Sequence, residues 1–320
     1  MFEIVFLGTS AAAPSIHRGL PAQIVIAREH RFLVDCGEGT QRQILKSGIG
    51  FRKLNRVLLT HAHLDHILGL GGLISTFVNW EEGIEFLEIY GGYHTLQRVS
   101  DLVFGVAIRG IDPPMPIKLI QLKANSIVFE DKHMTVTAFP VVHRGSGNFG
   151  FIFQQKAHRP FLEAQAQELG VPAGPERAVL VKGEAVTLED GRRIEPDDVL
   201  GESLPGAKLV IIGDLAETRD LGKYVQDADC LVMEATYLDE EADVARAVGH
   251  ITAGEAARFA HAHGVKSLIL THVSRRNSER DVRHEVETFF PNAFVARDFD
   301  HFTITRGQPA RKHSPSPPQK

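Results

Sequence analysis

The chain has 320 residues, 43% of them hydrophobic and 23% charged, enough apolar mass for one large core or two small domains. Its net charge of −5 excludes a protein that holds nucleic acid by bulk positive charge, so RNA binding would need a local patch or bound cations. Two cysteines, Cys36 and Cys230, lie far apart and outside any CxxC spacing, which excludes a disulfide framework and a cysteine-rich zinc site.

The N-terminus, Met1-Phe2-Glu3-Ile4-Val5, has no basic stretch ahead of its apolar run, so no signal peptide is expected. No apolar run approaches the ~20 residues that cross a bilayer. The expectation is a soluble, cytoplasmic protein without a membrane partner. Short runs of Val, Ile, Leu and Phe predict buried strands at 3–7, 23–27, 32–35, 56–60, 134–139, 149–153, 208–212, 230–233, 267–271 and 301–304. Helical periodicity falls between some of them, at 39–47, 94–104, 252–263 and 279–289. Thr252 stands three residues before Glu255, a capping box for the third helix. Strands and helices mixed in this way predict an α/β protein with helices packed on sheets.

Segment 155–198 breaks the pattern. It is polar and punctuated by Gly170-Val171-Pro172-Ala173-Gly174-Pro175, then Gly183 and Asp190-Gly191. It reads either as a long surface loop or as a protruding functional arm. Residues 307–320 are rich in Pro, Ser and basic side chains and are expected to be a disordered tail.

The chemistry concentrates in Leu58-Leu59-Thr60-His61-Ala62-His63-Leu64-Asp65-His66. One histidine at a strand end is ordinarily just a satisfied polar group. Three histidines and an aspartate within six residues, directly after a buried strand, are a ligand cluster. Alternate residues of an extended strand share a face, so His61 and His63 can meet on one ion. The chain must then turn, carrying Asp65 and His66 toward a neighbouring ion. Imidazole and carboxylate donors suit Zn²⁺, with Mn²⁺ and Fe²⁺ also compatible. Three later apolar runs end the same way, at His143, Asp214 and His272. An acid straight after the apolar run Leu209–Ile212 is costly unless paired or metal-bound. Asp35 has two readings: it holds a ligand histidine by its free N–H, or, like Glu38, it caps the helix near Gly39.

The set resembles the metallo-β-lactamase superfamily over residues 1–305, and more closely the ribonuclease Z family of tRNA 3′-processing endonucleases. Phe6-Leu7-Gly8-Thr9 with Pro14 and Arg18 is similar to that family's opening, and Val34-Asp35-Cys36-Gly37-Glu38-Gly39-Thr40-Gln41-Arg42-Gln43 to its second signature. Leu169–Pro175 resembles its tRNA-gripping arm, and Glu234-Ala235-Thr236, His250 and Ala296-Arg297-Asp298 fall at further signature positions. Met233, Ile251, Gly19 and the stretch Gly69-Leu70-Gly71-Gly72 depart from the family pattern, and none of them is a candidate ligand.

The resemblance implies an αββα sandwich of two mixed sheets with helices outside. It implies a hydrolase domain over 1–306 with 155–198 as an inserted tRNA-binding arm. His61, His63 and His143 would bind one metal, Asp65, His66 and His272 the other, with Asp214 bridging. Two Zn²⁺ per chain are the expected cofactors. Asp65 would act as base, and His250, oriented by Glu234, as proton donor. Gly170, Pro172, Gly174 and Pro175 would touch RNA, precursor tRNA would be the partner, and the protein would be a homodimer. The competing reading is a small-molecule ester, thioester or sulfate-ester hydrolase on the same scaffold. The arm and the Asp35–Gln43 signature favour RNA; the negative charge, six Lys/Arg against nine Asp/Glu in the arm itself, leans the other way.

Overall fold

The opening segment Phe2–Gly8 carries one charge, Glu3, and is buried along nearly its whole length, as a strand covered on both faces must be. The computed structural model, which describes residues 1–80 and 83–314, makes it β1 (Phe2–Gly8). In chain order follow β2 (Ala22–Ala27), β3 (His30–Val34), β4 (Arg56–Leu58), β5 (Leu87–Gly91), β6 (Ile117–Gln121), β7 (Ile127–Glu130), β8 (Met134–Val141), β9 (Asn148–Gln155), β10 (Val186–Thr187) and β11 (Arg193–Ile194). The chain closes with β12 (Lys208–Ile211), β13 (Cys230–Glu234), β14 (Leu268–Thr271), β15 (Phe294–Val295), β16 (His301–Ile304) and β17 (Arg311–Lys312).

Two units emerge, residues 1–154 with 207–320, and residues 155–206. In the first, one sheet runs β17-β16-β1-β2-β3-β4-β5-β6 and the other β15-β14-β13-β12-β9-β8-β7. Both are mixed. β1, β2 and β3 pair antiparallel while β3 to β6 pair parallel; β9 is antiparallel to β12 while β12 to β15 are parallel. The inner faces bury Phe2, Phe6, Phe32, Phe151, Phe153 and Phe302 together. Phe32 meets Phe153 edge to face at 5.5 Å. Each such ring is worth about 1.5–3 kcal/mol by burial. The outer face of the first sheet packs Leu7, Leu33 and Leu59 against Ile44, Leu73, Phe77 and Val99 of helices Thr40–Ser47, Gly69–Asn79 and Tyr93–Ser100. That of the second packs Val210, Leu231 and Leu270 against Ala256, Ala260, Val282 and Val286 of helices Ala253–Ala262 and Glu279–Glu287. This is the expected αββα sandwich. The capping box forms as anticipated: Glu255 N–H donates to Thr252 Oγ1 at 3.0 Å, and Thr252 N–H to Glu255 Oε2 at 2.9 Å.

Several elements were not anticipated. Helix Gly69–Asn79 occupies a glycine-containing stretch for which no element was predicted. A Cβ on Gly69 would lie 2.0 Å from the Gly37 carbonyl oxygen, so glycine there lets a helix lie directly on a neighbouring backbone. β5 was hidden because Glu88 interrupts its apolar run; Glu88 sits opposite Arg56 in register and pairs with it at 3.2 Å. The tail is a correction. β17 pairs with β16, Ala310 is buried, and its N–H donates to Ser267 Oγ at 2.7 Å, so order extends beyond Gly307. Residues 315–320 of that expected tail lie outside the described residues. Residues 155–206 are not a bare loop either: Ala166, Val171, Leu180, Ile194, Val199 and Leu200 form a small core beneath the β10–β11 hairpin and three short helices. Cys36 and Cys230 are buried free thiols.

Candidate metal centre

β4 ends at Leu58, and His61 and His63 follow in irregular chain, before the short helix Leu64–Ile67 that carries Asp65 and His66. The other candidates follow strand ends: His143 after β8, Asp214 after β12, His272 after β14. His272 has φ +54° and Asp35 φ +58°, left-handed conformations that cost about 1–2 kcal/mol at non-glycine residues and turn each side chain sharply off its strand.

The structure brings all seven expected ligands together. Donor atoms of His61, His63, His143 and Asp214 lie within 4.8 Å of one another, as do those of Asp65, His66 and His272. Asp214 divides its oxygens between the sets. Oδ2 is 3.5 Å from His61 Nε2 and 4.0 Å from His143 Nε2, while Oδ1 is 3.5 Å from His66 Nε2 and 3.4 Å from His272 Nε2. Asp65 Oδ2 faces His272 Nε2 at 3.5 Å and His66 Nε2 at 3.7 Å. Tetrahedral ligands about 2.0–2.2 Å from an ion stand roughly 3.3–3.6 Å apart, and four of these six distances fall in that range. Among the described residues, His61 Nε2, His66 Nε2, His272 Nε2 and Asp214 Oδ1 are buried without a hydrogen-bond partner. Four such atoms converging on one place would each cost about 1–3 kcal/mol, so the donor set fits metal ions and is hard to account for otherwise.

The opposite nitrogens are anchored. Asp35 Oδ2 is 2.8 Å from His66 Nδ1, which decides between the two readings of Asp35; Glu38 is exposed, and the helix after Gly39 has no side-chain cap. Thr60 Oγ1 lies 2.9 Å from His61 Nδ1, the Gly249 carbonyl 2.7 Å from His143 Nδ1, and Thr236 Oγ1 2.8 Å from His272 Nδ1. His63 differs, presenting Nδ1 to the site 3.4 Å from His143 Nε2. Ala12 N–H donates to Asp65 Oδ2 at 3.0 Å. Thr60, Thr236, Ala12 and Gly249 escaped sequence reasoning; a threonine directly before His61 and another directly after Glu234-Ala235 were the available signals.

Glu234 and His250 are joined as expected, with Nδ1 2.8 Å and 3.0 Å from the two carboxylate oxygens. Leu215 N–H also donates to Glu234 Oε1 at 2.8 Å. Burial disfavours the His250 imidazolium, but the hydrogen bond and charge of Glu234 outweigh it and its pKa is raised. Burial depresses the pKa of His143 to about 4 and that of His61 well below its usual value, so these rings are neutral donors. Burial opposes ionisation of Asp65, yet its hydrogen bond to His272 and the charges of His66 and His272 take its pKa below the usual carboxylate range.

A family model of the metallo-beta-lactamase superfamily matches residues 22–154, and one of the beta-lactamase superfamily domain matches residues 175–273. The chain is 47% identical to a ribonuclease Z of Bradyrhizobium diazoefficiens, over 95% of this chain and 100% of that one. The chain belongs to the ribonuclease Z family. It is 38% identical to a ribonuclease Z of Archaeoglobus fulgidus, over 95% and 98% of the two chains. The short form of human tRNase Z superposes with a TM-score of 0.66 at 25% identity, covering 94% and 99%. This member of the family is a hydrolytic endoribonuclease on the metallo-β-lactamase fold. The departures Met233 and Ile251 are buried in the outer core and do not bear on the ligands.

Proposed function

We propose that the two donor sets hold one divalent cation each, and that this ribonuclease Z uses them to remove the 3′ trailer from tRNA precursors, leaving a 3′-hydroxyl on the tRNA. The observation that carries the reading is the convergence of four unpartnered buried donor atoms in a full-length relative of ribonuclease Z. His61, His63 and His143 take one cation; Asp65, His66 and His272 take the other; Asp214 gives one oxygen to each. Zn²⁺ suits the nitrogen-rich sets best, and Mn²⁺ or Fe²⁺ are compatible. Bound there, the cations supply Lewis acidity toward the phosphate and lower the pKa of water.

The chain's own groups do the rest. Asp65, only partly buried and fixed by Ala12 N–H, orients the attacking water and takes its proton. As the water oxygen bonds to phosphorus, the bond to the ribose 3′-oxygen breaks. With Nδ1 engaged by Glu234, His250 has Nε2 left to protonate that departing oxygen. The trailer leaves with a 5′-phosphate.

In residues 155–206, Gly170, Pro172, Gly174 and Pro175 are exposed, while Val171 between them is anchored in the small core. Arg159, Arg177, Arg192 and Arg193 each pair with a carboxylate of the same unit. The arm's contact with the tRNA body therefore runs through this rigid turn and its backbone groups more than through free positive charge. A cytoplasmic homodimer completes the reading, and light scattering on the purified chain tests the assembly. The decisive assay is cleavage of a 3′-extended precursor tRNA with the cut and both ends mapped. A single cut giving a tRNA 3′-hydroxyl and a trailer 5′-phosphate is expected. Turnover of small esters with the precursor left intact would overturn the reading.

A further inference from the structure

We infer that Thr60 and Thr236 are positioning residues, each passing the hold of one buried carboxylate to a second histidine: Asp35 through Thr60 to His61, and Glu234 through Thr236 to His272. The inference rests on the two-cation reading above and concerns what fixes the donor atoms.

Counting protons gives the direction of each bond. Thr60 Oγ1 lies 3.0 Å and 2.8 Å from the two oxygens of Asp35 and 2.9 Å from His61 Nδ1. A hydroxyl has one proton to give, and a carboxylate only accepts. The Thr60 proton therefore goes to Asp35, and the contact with His61 must be the imidazole N–H donating to Oγ1. That places the ring proton on Nδ1 and leaves the Nε2 lone pair facing the site, where Asp214 Oδ2 stands 3.5 Å away. Thr236 repeats the arrangement. Its hydroxyl donates to Glu234 Oε2 in a short bond and lies 2.8 Å from His272 Nδ1. The contact with the His272 carbonyl, at 3.2 Å, is longer and loses the competition for the single proton. A histidine ring left to itself prefers its proton on Nε2, the atom that must be bare to bind a cation. Each threonine reverses that preference without placing a second charge beside the ring.

The two carboxylates thereby tie the centre together. Asp35 holds His66 directly at 2.8 Å and His61 through Thr60, so it reaches both donor sets. Glu234 holds His250 directly and His272 through Thr236, so it links the proton donor to the second set. Thr60 is also clamped from outside. A Cβ on Gly213 would lie 2.8 Å from Thr60 Oγ1 and 2.9 Å from Thr60 Cβ, so the backbone delivering Asp214 presses against this side chain and holds its rotamer.

The test compares Thr60→Val and Thr236→Val, which keep the β-branched shape and lose the hydroxyl, with Thr60→Ser and Thr236→Ser, which keep it. Zn²⁺ binding to the full chain is read by competition with a chromophoric chelator. Each valine variant is expected to bind one of its two equivalents about 10–100-fold more weakly, the usual effect of losing an outer partner of a ligand histidine. Each serine variant is expected to bind as the parent does. Valine variants that hold both equivalents with unchanged affinity overturn the inference. A parent protein that takes up other than two equivalents overturns the two-cation reading instead. Should a valine variant not fold, ¹⁵N imidazole spectra of the metal-free parent, where no cation occupies Nε2, decide without it: a ring proton on Nδ1 with Nε2 bare on His61 and His272 supports the inference, and the opposite tautomer on either ring refutes it.

Discussion

Replacing His250 by alanine removes the proposed proton donor and spares every expected ligand. A well-placed general acid contributes about 10²–10⁴-fold, or roughly 2.7–5.4 kcal/mol at 1.36 kcal/mol per decade. The upper part of that range is expected here. Two Glu234 oxygens hold Nδ1 at 2.8 Å and 3.0 Å, and the ring stacks on His272 at 5.7 Å, so the donor is already oriented. Steady-state kinetics on precursor tRNA should show the loss in kcat with KM near the parent value, because a proton donor acts in the transition state. On bis(p-nitrophenyl) phosphate, whose phenolate leaves unprotonated, the loss should nearly vanish. The pH profile carries the same logic. Glu234 raises the His250 pKa, so the contribution of protonated His250 is full below that pKa and is lost as pH rises through it. Glu234→Gln removes the charge that raises it, and the descending limb should move to lower pH. Equal losses on both substrates, or a limb that does not move, would refute the reasoning.

Elemental analysis of protein purified without chelators should find two equivalents of Zn, Mn or Fe, and Asp214→Ala should cut turnover on the order of 10⁴-fold or more, since it removes a donor from both sets; a metal-free protein with full activity would end the mechanism. Replacing residues 159–203 by a short Gly/Ser linker should leave hydrolysis of the small phosphodiester unchanged and weaken precursor binding. The salt dependence of that binding should barely change, because the arm's arginines are already paired; a large drop in the salt slope would show that the arm works by charge. Gly69→Ala should destabilise the fold by about 1–3 kcal/mol through overpacking against Gly37, lowering Tm by several degrees in a thermal melt, and an unchanged Tm would mean that helix and loop are not as close as described.

His61, His63, Asp65 and His66 were legible in the sequence because four metal-competent side chains after one apolar strand have few other uses. His143, Asp214 and His272 were legible because each follows a run too apolar to tolerate a polar neighbour without a partner. The ten expected strands all formed, since a buried strand writes its burial on both faces into consecutive residues. β5 and helix Gly69–Asn79 were not legible for a matching reason. Glu88 is acceptable only because Arg56 lies opposite it on another strand, and Gly69 is required only because another backbone lies 2.0 Å from where its Cβ would be. Both are facts about neighbours distant in sequence. The same holds at the centre. The sequence supplied the donor types, while the division of Asp214 between the two sets exists only once strand ends from both sheets meet, and the choice of Asp35 for His66 and the carboxylate-bound threonine hydroxyls behind His61 and His272 only once neighbouring strands of one sheet lie side by side. Local pattern determines which atoms can bind a cation. The direction of a hydrogen bond, and so the nitrogen left bare, depends on partners that tertiary packing alone brings within 3 Å of one another.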